Sequence, residues 1–129
     1  MKILIIAAEP SGDKLGANLI DGLVAEYRGK DKLVFQGVGG PLMKNRGVVS
    51  FYDFSEFAFM GFIEIIPKLP KFLRVIARIS DYAVVWKPDL IITIDSPDFS
   101  LRIAKKIKNE WPEAKTIHYV APSVWAWRS

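Results

Sequence analysis

Asp95 closes the apolar run Ile91-Ile92-Thr93-Ile94, and a second carboxylate, Asp98, follows three residues later. A β-branched run of this kind predicts a strand buried on both faces of a parallel sheet. Such a strand delivers Asp95 to its carboxyl end, the edge where open α/β sheets bind ligands. A carboxylate held there can act as a general base, taking a proton from an attacking hydroxyl. It can equally be a satisfied loop cap. Asp98 can orient Asp95, or simply begin the next helix, where negative charge is favoured.

A second chemical cluster lies in Ala8-Glu9-Pro10-Ser11-Gly12-Asp13-Lys14-Leu15-Gly16. Glu9 sits at a strand exit, where a carboxylate loses hydration unless it finds a partner. Ser11 or Asp13 can cap the following helix, and Gly12 allows a backbone or ligand to approach closely. A helix start is also a ready anion site. The spacing is neither G-x-G-x-x-G nor G-x-x-x-x-G-K-[ST], so the usual dinucleotide and ATP signatures are missing. Gly39-Gly40-Pro41 forms a comparable turn later in the chain. His118, the single histidine, has a side chain suited to proton transfer. Its apolar surroundings also fit a core imidazole bonded to a carbonyl. Trp125 and Trp127 can line a sugar or acyl surface or pack against a neighbouring domain.

These residues need elements to hold them. Strands are predicted at 2–8, 32–38, 48–51, 89–94 and 114–120. Helices are predicted at 13–27, 42–46, 70–86 and 99–110. In the first helix Leu15, Leu19, Ile20, Leu23 and Val24 form one stripe; in the third, Phe72, Leu73, Ile76, Ile79, Ala83 and Val84 do so. Lys87-Pro88 ends that helix. Strand–helix alternation with short links predicts an α/β fold, a Rossmann-like, doubly wound parallel sheet of about five strands. Glu9, Gly39 and Asp95 then meet at one sheet edge.

The chain has 129 residues, half of them hydrophobic, enough for one domain with a sizeable core. With no cysteine, disulfide and thiolate-metal chemistry are excluded, and one histidine rules out a histidine metal cluster. Met1–Ala8 is apolar but is followed by Glu9 and Asp13, which favours a buried first strand over a signal peptide. No apolar run reaches the roughly 18 residues of a membrane span. The net charge of +4 suits an anionic partner or a solvated basic face. No zinc, RNP-type or helix-turn-helix signature supports nucleic acid. Between Phe51 and Leu73, Phe51, Tyr52, Phe54, Phe57, Phe59, Phe62 and Phe72 lie near Lys68, Lys71 and Arg74. Aromatics flanked by bases suit an anionic bilayer interface, though a core helix or an oligomer face would use the same residues.

Five blocks, taken together, resemble the lipid-A-disaccharide synthase family. They are Ala8-Glu9-Pro10-Ser11-Gly12-Asp13, Gly37-Val38-Gly39-Gly40-Pro41-Leu42-Met43, Phe59-Met60-Gly61-Phe62-Ile63-Glu64, Ile94-Asp95-Ser96-Pro97-Asp98-Phe99 and His118-Tyr119-Val120-Ala121-Pro122-Ser123-Val124-Trp125-Ala126-Trp127-Arg128. They occur in the family's order and span nearly the whole chain. The resemblance implies the N-terminal, acceptor-side half of a two-domain GT-B glycosyltransferase, spanning residues 1–129, with the nucleotide-sugar half outside it. It implies joining UDP-2,3-diacylglucosamine to 2,3-diacylglucosamine 1-phosphate with inversion and release of UDP, without cofactor or metal. These residues alone are then expected to be inactive. Asp95 is the expected catalytic base. Glu9, Ser11, Gly12, Asp13, Gly39, Gly40, Asp98, Ser123 and Trp125 are the expected substrate-binding residues. Phe59, Met60, Phe62, Ile63 and Ile66 are expected to touch acyl chains or an anionic membrane. The resemblance also implies a peripheral place at the cytoplasmic face of a Gram-negative inner membrane, with a homo-oligomer open. A stand-alone sugar-phosphate- or nucleotide-binding module is the alternative.

Overall fold

The computed structural model describes residues 1–27, 32–51 and 70–120, without the side chains of Lys71 and Phe72. Five parallel strands form one sheet: β1 (Lys2–Ala7), β2 (Val34–Val38), β3 (Val49–Ser50), β4 (Leu90–Ile94) and β5 (Thr116–Tyr119). Their order is β3-β2-β1-β4-β5. The helices are α1 (Pro10–Glu26), α2 (Pro41–Lys44), α3 (Pro70–Trp86) and α4 (Pro97–Glu110). The expected Rossmann-like α/β fold is present.

β1 is the central strand, and Ile3 to Ala7 have no accessible surface. Its residues alternate between two cores, as a pleated strand requires. Leu4 and Ile6 pack with Val75, Ile76, Ile79 and Ala83 of α3 and Phe99, Ile103 and Ile107 of α4. Ile3, Ile5 and Ala7 pack with Ala17 and Ile20 of α1 and Met43 of α2. The sheet is therefore covered on both faces, which is why its central strands are apolar throughout.

Two stripes differ from expectation. In α1 the buried positions are Gly12, Asp13, Gly16, Ala17 and Ile20. The leucines flank the contact, and Val24 is 50% exposed. Small residues let the helix approach closely: a Cβ at Gly12 would lie 3.3 Å from Ala7 Cβ. In α3, Leu73 is 48% exposed and Val75 takes the buried place.

Helix starts differ too. α1 begins at Pro10 rather than Asp13, and α4 at Pro97 rather than Phe99. Proline at the first helical position needs no partner for an N–H and has its φ already set. Neither Ser11 nor Asp13 caps α1; Glu9 stands at the cap position and makes no side-chain cap bond.

The strand order reverses between β1 and β4. From β1 the chain winds outward through β2 and β3, and then crosses back to β4 and β5. The register places Ala7 beside Ile94 and Ile6 beside Val38. The turns after β1, β2 and β4 thus leave the same edge, on either side of the switch point.

Candidate functional site

Glu9, Gly39 and Asp95 follow the ends of β1, β2 and β4 at this edge, and the two sides are built differently. On the β1 side, Asp13 is 3% exposed. Its Oδ1 accepts from the backbone N–H groups of Gly40 at 2.9 Å and Met43 at 3.0 Å. Its Oδ2 accepts from Leu42 N–H at 3.0 Å. A carboxylate inside α1 therefore caps α2, which has only four residues and no cap of its own. Gly39 N–H donates to Ser50 Oγ at 3.2 Å, tying the same turn to β3. Met43 fills the space beneath: a Cβ at Gly39 or Gly16 would lie 2.7 Å from its Sδ. Gly12 meets the sheet through Ala7 and Ile94, so it serves close helix packing. Ser11 is exposed and Glu9 half-buried at the mouth of this turn.

On the β4 side the backbone takes an unusual path. Asp95 and Ser96 both have left-handed φ values, +47° and +40°. Non-glycine residues rarely adopt this region, and such strained turns gather at functional sites. The turn is held by Asp95 N–H donating to Tyr119 O at 3.0 Å and by Ser100 Oγ donating to Asp95 O at 2.7 Å. Asp95 itself is half-buried. Ser96 stands at the cap position of α4, yet its buried Oγ has no hydrogen-bond partner among the described residues. Asp98 lies in the first turn of α4, where its Oδ1 accepts from Arg102 Nε at 3.2 Å, one helical turn on. That pair is near half exposed on both sides and contributes a few tenths of a kcal/mol.

His118 is not bonded to a carbonyl. Its Nδ1 lies 2.9 Å from Thr93 Oγ1 on the neighbouring strand, and its Nε2 is buried without a partner among the described residues. The Thr93–His118 register and the orphaned Ser96 hydroxyl escaped the sequence. Thr93, a polar residue inside an apolar strand, was the available signal. Ser123, Trp125, Phe59, Met60, Phe62, Ile63 and Ile66 lie outside the described residues.

A model of the lipid-A-disaccharide synthetase family matches residues 3–129. The chain belongs to this family. It is 45% identical to a lipid-A-disaccharide synthase of Ruegeria pomeroyi over 99% of this chain and 31% of the relative. Against the synthase of Aliivibrio fischeri the identity is 44%, over 99% of this chain and 32% of the relative. Against that of Xanthomonas campestris it is 42%, over 98% and 28%. The chain thus spans about a third of the length of these curated relatives. The five-stranded parallel sheet is Rossmann-like, and the family is one of GT-B glycosyltransferases. No helix among the described residues is long and apolar enough to cross a membrane.

Proposed function

We propose that this chain forms the acceptor-side half of a glycosyltransferase of lipid A biosynthesis. The observation that carries the reading is the half-buried Asp95, delivered by β4 to the switch-point crevice in a chain of this family. In this reading 2,3-diacylglucosamine 1-phosphate enters the crevice with its 6-hydroxyl at Asp95. The carboxylate takes the hydroxyl proton as the oxygen attacks C1 of UDP-2,3-diacylglucosamine from the face opposite UDP. The new C1–O bond forms as the old one breaks, UDP leaves with the electron pair, and an α-linked donor yields a β-1′,6 disaccharide. Proton removal by a positioned base supplies about 10²–10⁴ of the rate.

Glu9, Ser11, Gly39, Gly40 and Asp98 form the wall around the acceptor, while Gly12 and Asp13 shape that wall from behind. Ser123 and Trp125 are further acceptor-binding residues in this reading. The greater length of the relatives supports a separate nucleotide-sugar half that holds UDP. Phe59, Met60, Phe62, Ile63 and Ile66 contact acyl chains or the cytoplasmic face of an anionic membrane, to which the +4 charge adds attraction.

Incubating the purified 129 residues with both lipids should give no disaccharide, because proximity of the two reactants supplies much of the catalysis. The same residues joined to the remainder of the Ruegeria pomeroyi synthase should form it, as read by thin-layer chromatography of labelled donor. Acceptor binding by the chain without product from the joined enzyme would favour a stand-alone sugar-phosphate-binding module.

A further inference from the structure

Asp13 belongs to the turn after β1 by its backbone and to the turn after β2 by its side chain. Its N–H donates to Glu9 O at 2.9 Å. Its carboxylate reaches about thirty residues along the chain to accept from Gly40, Leu42 and Met43. Glu9 follows β1 and Gly39-Gly40 follows the neighbouring β2, so one buried residue ties the two turns together. A four-residue helix cannot hold its own start, because nucleating a turn orders several residues for one hydrogen bond. The three free N–H groups there would otherwise need water or a ligand. Asp13 supplies the anion from inside the protein.

The geometry points to Asp13 as a positioning residue, one that preforms the acceptor wall by holding the backbone of Gly40, Leu42 and Met43 without touching substrate. This rests on the reading that the glycosyl acceptor binds in the switch-point crevice. With the wall preformed, binding does not have to order the turn; without the clamp, that ordering cost falls on the ligand.

The two oxygens are used unequally, and this gives the test its resolution. Oδ1 serves Gly40 and Met43, Oδ2 only Leu42. Asp13→Asn can keep the Oδ1 pair and lose the Leu42 bond, whereas Asp13→Ala loses all three. The experiment uses the 129-residue chain and a short-acyl 2,3-diacylglucosamine 1-phosphate, with calorimetric titration and amide proton shifts read on the same samples. Asp13→Ala should weaken acceptor binding about tenfold and move the Gly40, Leu42 and Met43 amides; Asp13→Asn should weaken it about threefold and move Leu42 most. A residue that only stabilised the fold would lower the melting temperature in that order and leave the affinity of the folded protein flat. Equal affinity in the folded wild type and Asp13→Ala overturns the inference. Should Asp13→Ala fail to fold, unchanged affinity in Asp13→Asn with a shifted Leu42 amide overturns it just as well. A wild-type chain with the three amides in place and no acceptor binding overturns the crevice reading itself, and the inference with it.

Discussion

On the β1 side of this edge, Asp13 gives both carboxylate oxygens to backbone N–H groups; on the β4 side, Ser96 Oγ and His118 Nε2 are buried with no partner among the described residues. The first side is saturated and unstrained. The second carries two consecutive left-handed residues. A left-handed L-residue costs about 1–2 kcal/mol, somewhat less for Asp, and a buried polar atom without a bond costs about 1–3 kcal/mol. Strain of this size persists only where the surroundings over-determine it. On the proposed function the two sides do different work: one is a rigid wall, and the other aims a carboxylate.

The sharpest way to break the comparison is Asp95→Asn in the joined two-domain enzyme. Asparagine adopts the left-handed region readily, so the turn and the fold should survive. What is lost is the basic lone pair and the charge. Turnover should fall about 10²–10⁴-fold, with acceptor affinity changed far less, because the loss falls on the transition state. Turnover and melting temperature measured together decide it. A lower melting temperature with near-normal turnover would make Asp95 a loop cap, and Glu9 would become the next candidate base.

The second test asks whether the β4 side is strained as described. Ser96→Gly removes both the left-handed penalty and the unpartnered hydroxyl. Glycine's extra freedom in the unfolded chain offsets part of this, by about 0.5–1 kcal/mol. The net expectation is a gain of about 1 kcal/mol, which for a domain of this size raises the melting temperature by roughly 3–5 °C. A clear drop would mean that the Ser96 hydroxyl stabilises the turn, and the contrast between the two sides would disappear.

Much of this was legible because it is local. The strands announce themselves as apolar runs, and the register that aligns Ala7, Val38 and Ile94 at one edge follows from parallel pairing. Asp95 could be placed because the run ends on it. The clamp could not, since Asp13 and its partners lie 27 to 30 residues apart and nothing in either segment names the other. The left-handed pair at Asp95 and Ser96 carries no glycine to mark it. All four described helices open on a proline, at Pro10, Pro41, Pro70 and Pro97, and the sequence reading placed only the Pro70 start correctly. That regularity places α1 and α4 two to three residues earlier than their apolar periodicity does.

The smallest effect belongs to Asp98, and it refines the comparison from within the β4 side. Asp98 lies one residue past Pro97 in the first turn of α4, and its Oδ1 bonds Arg102 on the same helix. Both partners are near half exposed, so water screens the pair. Charge at a helix start contributes about 0.3–1 kcal/mol, and an i,i+4 pair a few tenths more. Asp98→Asn should therefore lower the melting temperature by at most a few degrees. If Asp98 only begins the helix, turnover in the joined enzyme should stay within about threefold of wild type once the protein is folded. If it orients Asp95, turnover should fall well beyond that while the melting temperature moves no further. The Arg102 pair offers an internal check, because Arg102→Gln removes the partner and leaves the Asp98 carboxylate in place. A helix-start role predicts a smaller stability loss from Arg102→Gln, which removes only the pair, than from Asp98→Asn, and no loss of turnover from Arg102→Gln. A large turnover loss confined to Asp98→Asn would move this residue from the frame of the turn into its chemistry.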